Sequence, residues 1–154
     1  MIISPLEGNP KILEKIGLFI VLFNLIDTRL STEFHFVINQ NDDKKRPILN
    51  FLISQEFQNK LDILKLILGD VLYQKINQTD KFRNFIAHSA YGVREGSLEE
   101  VHLSKIKRGT GKYHSIPITE TSLDEKIKEE REILESLHQL ILDRLPKNKQ
   151  DKSA

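Results

Sequence analysis

Cysteine is absent from the 154 residues, and neither sign of charge is in excess. The lack of cysteine excludes a disulfide framework, a thiolate zinc site and a cysteine nucleophile, and it agrees with a reducing, cytoplasmic location. With 23 basic against 22 acidic residues, the formal net charge is +1. The whole molecule therefore has no strong attraction for nucleic acid, and any such binding requires a local basic patch.

Hydrophobic runs of membrane-spanning length are also missing. The most apolar run, residues 16–26, has about half of the roughly 20 residues that a helix needs to cross a bilayer, and Asn24 and Asp27 interrupt it. Residues 1–10 have neither the basic start nor the small-residue cleavage site of a signal peptide. We expect no membrane association, and we interpret the apolar run as part of a buried helix.

Apolar residues recur at helical spacing in four segments. The first predicted helix begins at Pro10, which follows the N-cap residue Asn9, and continues to about residue 39. After a polar loop, the second begins at Pro47 and ends where Gly69 is a candidate C-cap. The two helices are expected to bury their apolar stripes against each other or against later helices.

The other two predicted helices lie on either side of a stretch with different periodicity. The third runs from about residue 71 to residue 90, with a break expected at Thr79 or Asp80, either of which could begin its second half. The last begins at a capping box formed by Ser122 and Glu125 and ends before Pro146.

Residues 98–119, between the third and last helices, change from helical spacing to alternation and contain a glycine-rich turn. This pattern predicts a small β-hairpin inserted before the last helix, with Pro117 confining its second strand to an edge. We predict an all-α fold, a helical bundle in which residues 1–146 form a single domain. Residues 147–154 are predicted to be a flexible tail.

The segment from Asp80 to His88 contains the residues best suited to chemistry. RNA can be cleaved without a metal when a base removes the proton of a ribose 2′-hydroxyl and the oxygen attacks the adjacent phosphorus. An imidazole such as that of His88 suits the base because ordinary imidazoles titrate near neutrality. A guanidinium such as that of Arg83 can stabilise the negative charge that develops on the phosphorane.

Helix geometry relates these side chains. Asn84 lies one turn before His88 on the same face, so it could orient the imidazole or hold a phosphate oxygen. Arg83 and His88 are about 140° apart, which lets them flank one cleft. If Asp80 is a cap, the amides of the first turn would also face an anion. On spacing alone, the usual interpretation is structural: such Arg and His residues form surface ion pairs or bond buried carbonyls.

The segment Arg83-Asn84-Phe-Ile-Ala-His88 resembles the R-x4-6-H signature of the HEPN superfamily, in the form Arg-Asn-x-x-x-His. Two apolar helices before the motif and an amphipathic helix after it also resemble that family. The resemblance implies a four- to five-helix up-and-down bundle that forms a homodimer and sets two motifs across a shared cleft. It implies that Arg83, Asn84 and His88 are catalytic residues of a metal-independent endoribonuclease that needs no cofactor.

The resemblance also implies biological partners. Many members act in toxin–antitoxin or phage-defence systems, which makes RNA the expected substrate and an antitoxin a possible partner protein. In one toxin branch a modified Tyr lies two residues after the His, whereas Tyr91 here lies three residues after His88, so we do not expect its modification. Other members are non-catalytic modules that bind nucleotide, RNA or protein, and this alternative stays open.

The predicted hairpin is locally basic, with no acidic residue between positions 101 and 119. A basic finger could guide RNA through its phosphates. An edge hairpin protected from aggregation by lysines would have the same composition, so both interpretations stand. The candidate RNA-binding residues are Lys105, Lys107, Arg108 and Lys112.

The remaining ionisable residues are weaker candidates. His35 and His138 have no partner at metal-ligand spacing, so we interpret both as structural and expect no metal site. Glu14 and Asp27 on the first predicted helix could reach the motif and pair with Arg83. The acidic residues at positions 124–135 alternate with basic ones, which is typical of a solvent-facing helix surface.

Overall fold

A computed structural model of the chain describes residues 9–34, 47–88, 90–93, 101–106 and 113–144. Within these ranges the chain is predominantly helical, as predicted, with five α-helices and three β-strands. Their order is α1 (Pro10–Thr32), α2 (Pro47–Ser54), α3 (Phe57–Leu68), α4 (Asp70–His88), β1 (Ala90–Val93), β2 (Val101–Ile106), β3 (Tyr113–Ile118) and α5 (Glu120–Arg144).

The predicted second helix is two helices, α2 and α3. At the end of α2, the Ser54 hydroxyl donates to the Phe51 carbonyl at 2.7 Å, so a side chain bonds one of the last backbone carbonyls of the helix. Glu56 then has an extended backbone, with φ −60° and ψ 151°, and no side-chain capping bond. The continuous apolar stripe hid this break, because an interruption of two residues barely disturbs the periodicity.

Gly69 is the C-cap of α3, as predicted, with φ +77° and its N–H donating to the Lys65 carbonyl at 3.0 Å. Helix α4 begins at the next residue and continues through Thr79 and Asp80, so the predicted break is wrong. Both of these side chains are buried. Asp80 is therefore an interior helical residue, and its side chain bonds residues further along α4 rather than free amides of a first turn.

The last helix begins earlier than the predicted capping box. Thr119 is the residue before α5, and its hydroxyl accepts from the Ser122 N–H at 3.0 Å. The Ser122 hydroxyl accepts from the Thr119 N–H at 3.0 Å in return. Thr119 therefore occupies the N-cap position. Ser122, three residues later, is its partner in a reciprocal capping box and is not the N-cap itself.

Strands β2 and β3 pair antiparallel, with Val101 opposite Ile118 and Ile106 opposite Tyr113, which confirms the predicted hairpin. The sheet order β1-β2-β3 makes β3 an edge strand, as Pro117 requires. The third helix was predicted to run to about residue 90, and no strand was predicted in the residues that form β1. The β1 backbone pairs with β2 instead, from Ala90 opposite Ser104 to Val93 opposite Val101.

The chain divides into two compact units, and α1, α4 and α5 contribute to both. Unit 1 comprises Met1–Phe23 and Thr79–Glu130. The Phe19 and Phe82 rings meet edge-to-face there, with centroids 5.2 Å apart. Its buried apolar cluster contains Ile12, Ile16, Phe19, Ile86, Ile118, Leu123 and Ile127. The single-domain assignment stays a prediction.

Unit 2 comprises Asn24–Gln78 and Arg131–Ala154. Its buried apolar residues include Ile26, Leu30, Phe34, Leu52, Leu61, Leu64, Leu68, Leu72, Ile76, Leu137 and Ile141. The Lys60 ammonium is buried and pairs with Asp27. Among the described residues, none of the five helices combines the length and the hydrophobicity of a membrane span.

Candidate functional site

Hydrogen bonds link the side chains of Asp80, Arg83 and Asn84, which lie within a little over one turn of α4. The Asp80 carboxylate is nearly buried, with 6% of the residue exposed. Its Oδ1 accepts from Nη2 of Arg83 at 2.6 Å, and its Oδ2 accepts from Nδ2 of Asn84 at 3.2 Å. Positions three and four residues apart share a helix face, so one carboxylate bridges the two neighbouring residues.

The Arg83 guanidinium is also held from α1. Its central carbon lies 4.8 Å from the centroid of the Phe23 ring, within the range of a cation–π contact. The side chain is 28% exposed, and its Nε is buried without a hydrogen-bond partner. An unpaired donor on a cation is costly, and such groups commonly mark a place that a ligand or water completes. The guanidinium is therefore held in one orientation, but not all of its N–H donors have a hydrogen-bond partner.

His88 is the last residue of α4 and is exposed. No hydrogen-bond partner of its ring lies among the described residues. It is one turn beyond Asn84 and five residues beyond Arg83 on the same helix. The structure therefore connects Arg83 and Asn84 through Asp80, and it leaves the imidazole accessible at the helix end.

The carboxylate that pairs with Arg83 is neither of the two considered on sequence grounds, Glu14 and Asp27. Asp27 bonds Lys60, and Asp80 is the described partner of Arg83. The sequence did contain the signal, because Asp80 lies three residues before Arg83 and four before Asn84 on one predicted helix. The pairing was not predicted because a helix break was expected at Asp80.

The burial of Glu130 shows that a second interpretation was wrong: the acidic face of the last helix is not solvated throughout. It is fully buried, and neither carboxyl oxygen has a hydrogen-bond partner. Burial raises the pKa of Glu130 to about 9, and the nearby charge of Glu129 adds to the rise, so the carboxyl is protonated at neutral pH. Its position three residues after Ile127 on the apolar stripe was the available signal.

The remaining candidates are only partly within the described structure. Lys105 lies in β2, whereas Lys107, Arg108 and Lys112 lie outside the described residues, so their role in RNA binding stays a prediction. His35 also lies outside them. His138 is exposed on α5. In the ranges that the structure covers, no group of three His, Asp or Glu residues could hold a metal ion.

The chain matches no protein-family model, no curated protein and no solved structure. The likeness to the HEPN superfamily therefore rests on the hexapeptide from Arg83 to His88 and on the helical context around it.

Proposed function

We propose that the protein is a metal-independent endoribonuclease of the HEPN type that acts as a homodimer. In this proposal the helices form a four- to five-helix up-and-down bundle, and two copies of α4 face a shared cleft. The observation that carries the proposal is the grouping on one helix of an oriented guanidinium, an amide and an accessible imidazole. Attack by a 2′-hydroxyl on RNA needs a base and a group that stabilises the charge of the phosphorane, and the amide can assist them.

The proposed reaction needs no metal ion. His88 takes the proton from a ribose 2′-hydroxyl, and the 2′-oxygen attacks the adjacent phosphorus. The bond from phosphorus to the 5′-oxygen then breaks, and the protonated His88 returns a proton to that oxygen, directly or through water, which makes the imidazole neutral again. The products carry a 2′,3′-cyclic phosphate and a 5′-hydroxyl.

Arg83 supplies the electrostatic part of the mechanism. The phosphorane has more negative charge than the phosphodiester, so a fixed cation stabilises it more than the ground state. Asp80 and the Phe23 ring restrain the guanidinium before substrate binds, which lowers the cost of ordering it during the reaction. With Nη2 used by Asp80, the Nη1 donors remain to contact a phosphate oxygen.

The partners follow from the same proposal. RNA would be guided by Lys105, Lys107, Arg108 and Lys112, and a second copy of the chain would supply the second motif. Action in the cytoplasm within a toxin–antitoxin or phage-defence system, with an antitoxin as partner protein, belongs to the proposal as well.

The test is incubation of EDTA-treated protein with bulk tRNA and mRNA, with the fragment ends characterised. Wild type is expected to cleave and leave cyclic phosphate ends, and His88→Ala is expected to lose cleavage by about 100-fold or more. His138→Ala is the matched control, because His138 is an exposed histidine on another helix. Full cleavage by His88→Ala, or loss of cleavage on metal removal, would contradict the proposal.

The second candidate is a non-catalytic module that binds RNA, nucleotide or protein. The Asp80–Arg83 ion pair favours it, since an arginine committed to a carboxylate is also the ordinary structural arrangement. This candidate predicts RNA binding that weakens as salt is raised, with no cleaved product. Gel-shift and cleavage assays on the same samples distinguish the two functions.

A further inference from the structure

One exposed face of α1 is rich in large apolar side chains. Leu13, Leu18, Val21 and Leu25 each leave between 39% and 62% of the residue accessible to solvent. With the exposed Gly17, three of them form a row at four-residue spacing, at positions 13, 17, 21 and 25, that contains no polar residue. Such rows are the ridges by which helices pack against each other. We call these five residues the α1 face.

The α1 face differs from the surroundings of a singly exposed apolar residue. Leu66 on α3 is 95% exposed, but the row at four-residue spacing that leads to it contains Gln58 and Asp62. Apolar residues exposed one at a time are ordinary on a protein surface, whereas a continuous apolar patch marks a site of interaction. Among the described residues no atom lies within 4 Å of a Cβ built at Gly17, so the middle of the row is open to a partner.

Two polar residues that flank the row indicate which partner fits it. Glu14 and Asn24 are both exposed, one near each end of the row. If a second copy of α1 packs antiparallel, Leu13 approaches Leu25 of that copy. Glu14 then approaches Asn24 of that copy, whose NH₂ can donate to the carboxylate. Parallel packing would place two Glu14 carboxylates together, and like charges repel each other.

We propose that the α1 face binds the same face of a second copy of the chain, with the two α1 helices antiparallel. Each contact then occurs twice about a twofold axis, which is the commonest symmetry of soluble homo-oligomers. The association removes from water the apolar side chains that a monomer exposes, and this burial supplies its free energy.

The α1 face is separate from the candidate site. Val21 lies two residues before Phe23, about 160° around the helix, and it is Phe23 that contacts Arg83. The proposal therefore does not rest on the ribonuclease function. If the shared α4 cleft of the proposed function also forms, the two interfaces together give a tetramer with two twofold contacts per chain.

The first experiment measures the oligomeric state of the full chain by sedimentation equilibrium over a range of protein concentrations. Val21→Glu places a charge in the middle of the face and should weaken association by about 10-fold or more. Leu66→Glu is the matched control, because it adds the same charge at another exposed leucine and should leave association unchanged. Circular dichroism verifies that both variants are folded.

The outcomes separate this proposal from the proposed function. A change from tetramer to dimer in Val21→Glu supports both interfaces. A change from dimer to monomer supports the α1 face and contradicts the shared α4 cleft. A monomeric wild type, or an oligomer that Val21→Glu leaves intact, overturns the proposal and leaves the face to a different protein.

The direction of the helices is tested by cross-linking, because the chain has no cysteine of its own. A Leu13→Cys chain mixed with a Leu25→Cys chain of different mass should form a mixed disulfide under oxidising conditions, since antiparallel packing brings these positions together. Each variant alone should cross-link far more slowly. Rapid self-linking of each variant without the mixed product would show parallel packing and overturn the proposal.

Discussion

The guanidinium carbon of Arg83 on α4 lies 4.8 Å from the centre of the Phe23 ring on α1. Two residues 60 positions apart in sequence therefore form one contact at the candidate site. The aromatic face restrains the cation from α1, in addition to the bond that Asp80 provides on α4. The contact connects the core of unit 1 with the proposed phosphate-binding group, since Phe23 is itself buried.

We expect Phe23→Leu to weaken RNA cleavage by several-fold beyond its effect on stability. A cation–π contact of this kind contributes about 0.5–2 kcal/mol, and leucine keeps an apolar side chain without the ring face. Phe19→Leu is the matched control, because Phe19 is equally buried but contacts Phe82 rather than Arg83. Both variants should unfold more easily in urea. Equal cleavage by the two, compared at a temperature where both are folded, would contradict the prediction.

Glu130 predicts a pH dependence of stability. Burial raises the pKa of the Glu130 carboxyl from 4.5 to about 9 in the folded chain, so between these values the folded state holds a proton that the unfolded state has lost. The stabilising contribution is therefore complete below pH 4.5 and is lost as the pH rises toward 9. Within this window each pH unit lowers the free energy of unfolding by about 1.4 kcal/mol.

Glu130→Gln should remove this pH dependence, because glutamine stays neutral throughout. The measurement is urea unfolding between pH 6 and pH 9, compared with Glu129→Gln. Glu129 is an exposed neighbour that pairs with Lys126, so its replacement should leave most of the slope in place. A wild-type slope that survives in Glu130→Gln would show that another group is responsible.

Two glycines should respond to alanine in opposite directions. Gly69 has a φ of +77°, where an alanine is strained, so Gly69→Ala should lower the free energy of unfolding by about 1–2 kcal/mol. Gly17 lies inside α1, and Gly17→Ala should raise it by up to about 1 kcal/mol. No atom lies within 4 Å of a Cβ built at either glycine, so clashes do not confuse the comparison. Chemical denaturation of both variants tests the prediction, and a change of the same sign in both would contradict it.

The sequence by itself determined the features that depend on neighbouring residues. Helical periodicity located α1, α4 and α5, alternation located the β2–β3 hairpin, and Gly69 marked the end of α3 because only a residue without a Cβ adopts its backbone freely. The same local logic placed Arg83, Asn84 and His88 on one helix, since residues three to five apart have a fixed relation there.

Only the tertiary structure decided what each of these residues faces. Strand β1 forms because β2 offers its backbone groups, and those partners are 8 to 14 residues away in sequence. Glu130 is protonated because the folded chain removes it from water, although its charged neighbours in sequence suggested a solvated face. Arg83 meets Phe23 because α1 and α4 lie side by side in unit 1. Burial and long-range contacts depend on how elements pack, and periodicity along one element carries no information about its neighbours.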